Sequence, residues 1–268
     1  MSGKSTGIVG EASPRVTIVT VTLDRVTALE RTLASVAEQT AEGLEYVVVD
    51  GGSKDGSERV ADHPRVDVFI SQPDRGISHA FNRGIKRARG EYLLFLNAGD
   101  TFLCRDAVAQ LLDAAPVDGR MALISAQIDC GPKGLTPRRP PQTGDPDRVR
   151  ARLAHQATLI PRSLFERFGP YSESFRIRMD YEWFLRVVDS VPLVWLSVPL
   201  VRYELGGLSS RPDMAFVQEA EALAAELLHE RSTLRRAALL LVRGPWALGR
   251  ALLKRLVWSL RAHPGRAS

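Results

Sequence analysis

Four aspartates are the residues of this 268-residue chain best placed to do chemistry: Asp50, Asp74, Asp100 and Asp180. Asp100 closes Asn97-Ala-Gly-Asp100, directly after the apolar run Glu91 to Leu96. If that run is a buried strand, Asp100 stands at its carboxyl end, where open α/β sheets bind their ligands. A carboxylate there is a hard oxygen ligand for a divalent cation, and such a cation could hold a diphosphate. Asp50 opens the glycine-rich stretch Asp50-Gly-Gly-Ser-Lys-Asp-Gly-Ser57. Glycines let the backbone approach a ligand closely, and the N–H groups of such a turn can face an anion. A carboxylate at its start can accept from the imide N–H of uracil or the N–H groups of guanine. Taken alone, the stretch is only a β-to-α connection rich in turn formers; its place one strand end away from Asp74 and Asp100 is what favours a site.

Asp74-Arg75-Gly76 follows Pro73 and is turn-like. Arg75, Arg83 and Lys86 put positive charge near the phosphate site, while Arg87 and Arg89 read as a solvated face. Asn82, one helical turn after Ser78, could face the cleft. Asp180 is either the N-cap of the helix that follows or a base for an acceptor hydroxyl. Glu182 lies about 200° from it around a helix, so the two carboxylates cannot share one cleft. His155-Gln156 lies outside any metal-ligand spacing. A lone histidine is more often a structural residue, and an acceptor or phosphate contact is the alternative reading.

The elements that must position these groups alternate. Strands are expected at Val16 to Thr22, Leu44 to Val49, Val66 to Ile70 and Tyr92 to Leu96. Helices are expected at Val26 to Ala37, from Glu58, and at Ile77 to Ala88, where Gly90 makes a natural stop. That alternation predicts a Rossmann-like, mostly parallel sheet flanked by helices. Next come a helix at Asp106 to Ala114 capped by Asp106, a strand at Met121 to Asp129 and a turn at Gly131 to Gly134. Pro137 to Pro146 reads as a mobile loop, His155 to Ile160 as strand, and Ser163 to Phe168 as a helix with Ser163 as N-cap. Asp180 to Val188 and Leu193 to Tyr203 are a last helix and strand. No second independent core is visible, so the later half should extend the first sheet and wall the cleft. The domain reading is a disordered lead at 1–13, one domain at 14–210 and a helical basic tail at 211–268.

Hydrophobic residues make up 44% and charged residues 25%, the balance of an ordinary globular protein. Two cysteines form neither a disulfide framework nor a metal-ligand spacing, which points to a reduced, cytoplasmic setting. The N-terminus has no apolar core of the signal-peptide kind. Net charge is +5, yet residues 231–268 hold nine Lys and Arg and no acid, which leaves the body at −4. The basic balance therefore belongs to the tail and makes no case for nucleic acid as a partner. Arg243, Arg250, Lys254 and Arg261 fall on one helical stripe, away from Leu248, Leu252, Leu256 and Trp258, and Gly244-Pro245 should break the segment into two helices. Five basic residues between Arg243 and Arg261 forbid a clean membrane span. The tail reads either as an anchor on the cytoplasmic membrane surface, with Trp246 and Trp258 at headgroup level, or as a helix packed on the domain or on the second subunit of a homodimer.

In order, VTIVTVTLDR, VVVDGGSKDGS, QPDRGISHAFNRGIKRARGEYLLFLNAGD, HQATLIPRSLFERFGPYSESF and MDYEWFLR resemble glycosyltransferase family 2, over roughly Val16 to Tyr203. The nearest subgroup is the one with DGGSxDG, PDxG and LNAGD motifs, similar to colanic-acid and glycolipid transferases. The resemblance implies the GT-A fold. It implies an inverting hexosyl or deoxyhexosyl transferase that uses a UDP-, GDP- or dTDP-sugar, Mg²⁺ or Mn²⁺, and a glycan or lipid-linked acceptor. Carried over motif by motif, Thr22 and Asp24 match the first nucleotide-contacting loop, Asp50 the base-recognising aspartate, and Asp74 and Gly76 the second base and ribose region. Asn97 lies in the motif that ends on Asp100, the metal ligand, and Asp180 matches the catalytic base.

Three departures stand out: Gly99 where many relatives carry a first aspartate, Ser78-His79 for an aromatic-Asp pair, and Val21 for a proline. The missing carboxylate at Gly99 supports one alternative, a non-catalytic nucleotide-sugar-binding subunit. A sugar nucleotidyltransferase is a further alternative, but it would want a glycine-rich basic loop after the first strand, where this chain has Val21-Thr-Leu-Asp24.

Overall fold

The computed structural model describes residues 13–136, 153–207, 211–230, 232–246, 248–249 and 252. The expected lead and the Pro137 to Pro146 loop lie outside these residues, apart from Ser13.

Strands β1 (Val16–Thr22), β2 (Leu44–Asp50), β3 (Val68–Ser71) and β4 (Tyr92–Asn97) form a parallel sheet in the order β3-β2-β1-β4. Side chains alternate across it. Val16, Ile18, Val48, Leu94 and Leu96 pack under helices α1 (Val26–Ala37) and α3 (Ala107–Asp113). Val19, Val21, Val47, Val49, Leu93 and Phe95 pack against α2 (Ile77–Arg87), α4 (Arg162–Phe168) and α5 (Met179–Val187). A strand covered on both faces must be apolar at every position, which is why Tyr92 to Leu96 reads as a continuous run.

The later half extends this sheet, as expected. Besides β5 (Thr101–Phe102), it adds β6 (Leu123–Asp129), β7 (Leu135–Thr136), β8 (Thr158–Pro161) and β9 (Leu193–Arg202). The order continues β4-β8-β6-β9-β5, with β7 beside β6. β8 is antiparallel to β4 and β6, while β6 and β9 run parallel. Thr101 pairs with Arg202, so the end of β9 arrives over the turn that follows β4.

Several local expectations are corrected. Gly90 is not the helix stop: α2 ends because Ala88 is extended (ψ 134°), and Gly90 serves close approach, its N–H donating to Thr17 Oγ1 at 2.8 Å. Ser163 does not cap α4, which starts at Arg162 after Pro161; its hydroxyl faces Met121 Sδ instead. Asp106 stands at the N-cap of α3 without a cap hydrogen bond to the backbone, because its carboxylate takes Gln110 Nε2 at 3.1 Å. His155 to Ala157 is a 3₁₀ turn ahead of β8 rather than strand.

Helix α6 (Ala215–His229) was assigned from sequence to the tail, yet Ala222 and Ala225 lie in the same core cluster as Trp183 and Phe184. The folded body therefore runs past residue 210, to His229. Beyond it come α7 (Thr233–Ala238) and a π-helical turn at Leu239–Arg243. The break expected at Gly244-Pro245 is absent: both residues are helical, and Gly244 donates to Leu239 O five residues back. The widened turn accommodates a proline that lacks an N–H and would crowd the preceding carbonyl.

Candidate functional site

The carboxyl ends of β1, β2, β3 and β4 converge on one edge, and their loops are tied to each other. Asp24, the one non-glycine residue with positive φ (50°) among the described residues, donates its N–H to Ser53 Oγ at 2.7 Å and accepts from Lys54 N at 2.8 Å. Asp55 Oδ2 accepts Val26 N at 2.6 Å, capping α1 from the neighbouring loop. Hydrogen bonding, first from the Ser57 hydroxyl, holds the Asp55 carboxyl below its ordinary range.

Asp50 is buried, and its oxygens accept from Gly52 N (3.3 Å), Ser53 N (3.0 Å), Ser71 Oγ (2.6 Å) and Ser53 Oγ. A carboxylate has about four acceptor positions, so in this structure Asp50 shapes its own loop, and a contact to a base must compete with those serines. Asp74 Oδ1 accepts Gly76 N at 2.9 Å, and its Oδ2 would stand 2.6 Å from a Cβ on Gly51. A side chain at residue 51 would push these two loops apart.

Three candidate contacts are already committed elsewhere. Asn82 gives Nδ2 to Tyr171 O (2.9 Å) and takes Tyr171 N on Oδ1 (3.0 Å), so its amide fixes Tyr171 rather than facing a ligand. Arg75 pairs with Glu173 at 2.7 Å, and Arg83 binds the carbonyls of Gln72 (2.9 Å) and Pro73 (3.0 Å). The expected field of free positive charge is therefore spent largely on holding the 72–76 loop.

Asp100 is 1% exposed. Its oxygens accept from Asn97 N (3.1 Å), Asn97 Nδ2 (3.0 Å), Glu204 N (3.0 Å) and the Gln156 side chain. Burial pushes its carboxyl up to about 6, against the pull of those hydrogen bonds. Gln156 thus reaches Asp100, and its neighbour His155 is buried in an aromatic cluster. His155 stacks on Phe95 at 5.8 Å, with Phe81 edge-on at 5.2 Å. Burial holds the His155 imidazole below its usual range, opposed by the Asp180 charge. The Tyr171 hydroxyl is raised well above its ordinary value by burial and then by the same Asp180 charge. Asp180 itself lies in the first turn of α5 and is not its N-cap, a position held by Arg178. Glu182 points the other way, onto His229 (2.8 Å) and Arg186 (3.0 Å).

Sequence reasoning missed Glu204. Its carboxylate lies over Gly99 (φ 109°), where an added Cβ would overlap it, standing 2.5 Å from Cδ. It pairs with Arg25 and Arg31, and Arg25 also donates to Ala98 O at 3.0 Å. With Asp100 and Glu204 separated by 104 positions in the chain, no local pattern announces the contact. Tyr171 was missed for the same reason.

The donor set fits a hard divalent cation in part. Asp100 brings one carboxylate beside Asn97, whose Oδ1 is buried and unpartnered among the described residues, while Glu204 meets Asp100 through its backbone N–H and turns its own carboxylate onto Arg25 and Arg31. No group of three or more His, Cys, Asp or Glu that could hold an ion exists among those residues. A cation here would therefore complete its shell with phosphate and water oxygens, as Mg²⁺ commonly does. Thr22 Oγ1, His155 Nδ1 and Tyr171 Oη are likewise buried without a partner among the described residues; such atoms suit a polar ligand.

The model of glycosyl transferase family 2 matches residues 17–179. A PGL/p-HBAD biosynthesis glycosyltransferase of Mycobacterium bovis is 30% identical over 267 residues, covering 93% of this chain and 98% of that protein. An uncharacterized glycosyltransferase of Mycobacterium tuberculosis is 30% identical over 215 residues, 77% of this chain and 81% of the other. Among solved structures, a mannosyltransferase from Pyrobaculum calidifontis in complex with GDP-Man and Mn²⁺ superposes with a TM-score of 0.65 at 21% identity, covering 96% of this chain and 77% of that one. Staphylococcus aureus TarS in complex with UDP-GlcNAc gives 0.67 at 15% identity, covering 84% and 70%. With the strand-end loops tied into one edge and the sheet order above, these matches make the chain a glycosyltransferase of family 2, built on the GT-A fold.

Proposed function

We propose that this glycosyltransferase moves a sugar, with inversion, from a nucleotide-diphospho-sugar to a hydroxyl of a glycan or lipid-linked acceptor. The observation that carries the reading is the His155-Gln156 bridge: Gln156 binds the Asp100 carboxylate while His155 feels the charge of Asp180. The dipeptide thus links Asp100 with Asp180, which supports a reading in which the two acids serve the leaving group and the attacking hydroxyl.

The nucleotide would lie across the loops of Thr22, Asp24, Asp50 and Asp74-Arg75-Gly76, with the diphosphate toward Asn97 and Asp100. Asp100, with Glu204 and Asn97 beside it, would hold Mg²⁺ or Mn²⁺, and a bound cation supplies neutralisation of leaving-group charge. Arg25 and Arg31 sit at the same lip. Asp180 accepts the proton of the acceptor hydroxyl as that oxygen attacks from the face opposite the diphosphate. His155, held neutral by burial, and Tyr171 shape the wall against which the acceptor lies. Positioning and electrostatics supply most of the rate.

The tail supports a lipid-linked acceptor. Leu234, Leu240, Leu241, Val242, Trp246, Leu248 and Leu252 are exposed in a stretch that carries no acidic residue. No helix among the described residues is long and apolar enough to cross a membrane. Contact with an anionic membrane surface on the cytoplasmic side fits both facts. The similar mycobacterial protein is named for glycolipid biosynthesis, which favours the same acceptor class.

A panel of UDP, GDP and dTDP in thermal denaturation, each with and without Mn²⁺, tests the donor side. One nucleotide should raise the midpoint by several degrees only with the cation, and the Asp100→Asn variant should lose that rise. No stabilisation by any of the three would refute the donor assignment.

A further inference from the structure

We propose that Glu221, on α6, is a positioning residue for Asp180; the inference rests on Asp180 being the acceptor-side base. Helix α5 begins without a cap of its own, since Arg178 occupies the N-cap position and makes no side-chain cap bond. The residues that lead into it are held from another helix. Glu221 Oε1 accepts Arg176 N at 2.7 Å, and Oε2 accepts Ile177 N and Arg178 N, both at 2.9 Å. Three successive N–H groups close around one carboxylate, an anion nest at the positive end of a helix. Hydrogen bonds to a charged acceptor are the stronger kind, so the turn is held firmly where it enters α5.

Asp180 lies two residues beyond that nest. Glu221 fixes the three residues that lead into the helix, and with them the place from which Asp180 projects. Asp180 keeps one oxygen on Tyr181 N (2.8 Å) and acts electrostatically on His155 and Tyr171.

The other links between α5 and α6 lie farther along. Tyr181 Oη donates to Glu226 at 2.6 Å, and His229 Nε2 meets Glu182 at 2.8 Å. They pin the face of α5 that turns away from the cleft, whereas Glu221 pins the end that carries the base. Among these links, the Glu221 carboxylate is the one that couples the segment leading to the basic tail to the start of the catalytic helix.

Glu221→Gln and Glu221→Asp, with His229→Gln as a packing comparator, test the assignment. Transfer kinetics, nucleoside diphosphate affinity by calorimetry and the thermal midpoint are measured for each. Glu221→Gln should lower kcat by about 10–100-fold, because small misplacement of a reacting group costs that much. Donor KM and nucleotide affinity should stay within about twofold, and Glu221→Asp should recover part of the loss. His229→Gln should lose comparable thermal stability while keeping its kcat. Wild-type kcat in Glu221→Gln would overturn the assignment, as would losses of kcat that follow the thermal midpoint equally in Glu221→Gln and His229→Gln. Asp180→Asn runs alongside. If it is inactive while Glu221→Gln runs at full speed, only the positioning role falls; if Asp180→Asn itself runs at full speed, the base assignment falls and takes the positioning role with it.

Discussion

Replacing Gly99 with alanine should damage the protein in two separable ways. The backbone there has φ 109°, a region L residues rarely adopt, and holding alanine in it costs about 1–3 kcal/mol. The new Cβ would also stand 2.5 Å from Cδ and 3.1 Å from Cβ of Glu204, so the Glu204 side chain must swing away from Arg25 and Arg31. Those guanidinium groups are 36% and 51% exposed, so solvent screens the pairs and their loss is worth roughly 1 kcal/mol. Together the two effects predict about 2–4 kcal/mol of destabilisation, a drop of roughly 5–10 °C in the thermal midpoint for a chain of this size. Circular dichroism melts of Gly99→Ala, Glu204→Ala and the double variant form a cycle. If the carboxylate is what the methyl meets, the double variant should be at least ~1 kcal/mol more stable than the sum of the single changes, differing from Glu204→Ala by the backbone strain alone. Strict additivity, or a Gly99→Ala protein within about 0.5 kcal/mol of the parent, would refute the proposed overlap.

Three further outcomes follow from the structure. The Asp100 carboxyl is pushed up to about 6, so Mn²⁺-supported nucleotide binding should weaken about tenfold per pH unit below that value and stay flat above it; affinity unchanged down to pH 4 by calorimetry would exclude Asp100 as a ligand. Burial raises the Glu45 carboxyl, but hydrogen bonds from Thr17 (2.6 Å) and from Arg89 N (2.8 Å) and Nε (2.7 Å) outweigh it and hold the group below its ordinary range. Its contribution is thus present above pH 4.5 and lost as pH falls through the lowered value, so Glu45→Gln should flatten the acid limb of the stability curve in denaturant titrations; an unchanged limb would count against it. Truncation after Glu230 should abolish co-sedimentation with anionic vesicles while leaving the core's melting within a few degrees; vesicle binding that survives truncation would place the membrane contact elsewhere.

What the sequence made legible was local. Tyr92 to Leu96 announces a strand covered on both faces because five consecutive apolar side chains have nowhere else to go, and Asp100 inherits its place from that strand. Asp50 and Asp74 were read in the same way, from the turns at strand ends, whereas Asp24 entered through the family resemblance. What stayed hidden was made by contacts between distant segments. Glu204 reaches Gly99 only because Thr101 pairs with Arg202, and Glu221 holds the entry to α5 only because α6 packs on it. Asn82 and Arg83 look available on a helix face, and nothing in their neighbourhood says that Tyr171 and the Gln72 and Pro73 carbonyls will claim them. Gly90 carries a local signature for ending a helix, while its real constraint is the backbone of Thr17, 73 residues away.

Asp180→Asn offers the most direct test of the whole account, with transfer and donor binding measured on the same preparation. A positioned general base contributes about 10²–10⁴-fold, so transfer should fall by that factor while nucleotide diphosphate affinity stays within about twofold of the parent. Near-parental transfer, or a loss of donor binding equal to the loss of turnover, would contradict an acceptor-side base facing a donor held at Asp100.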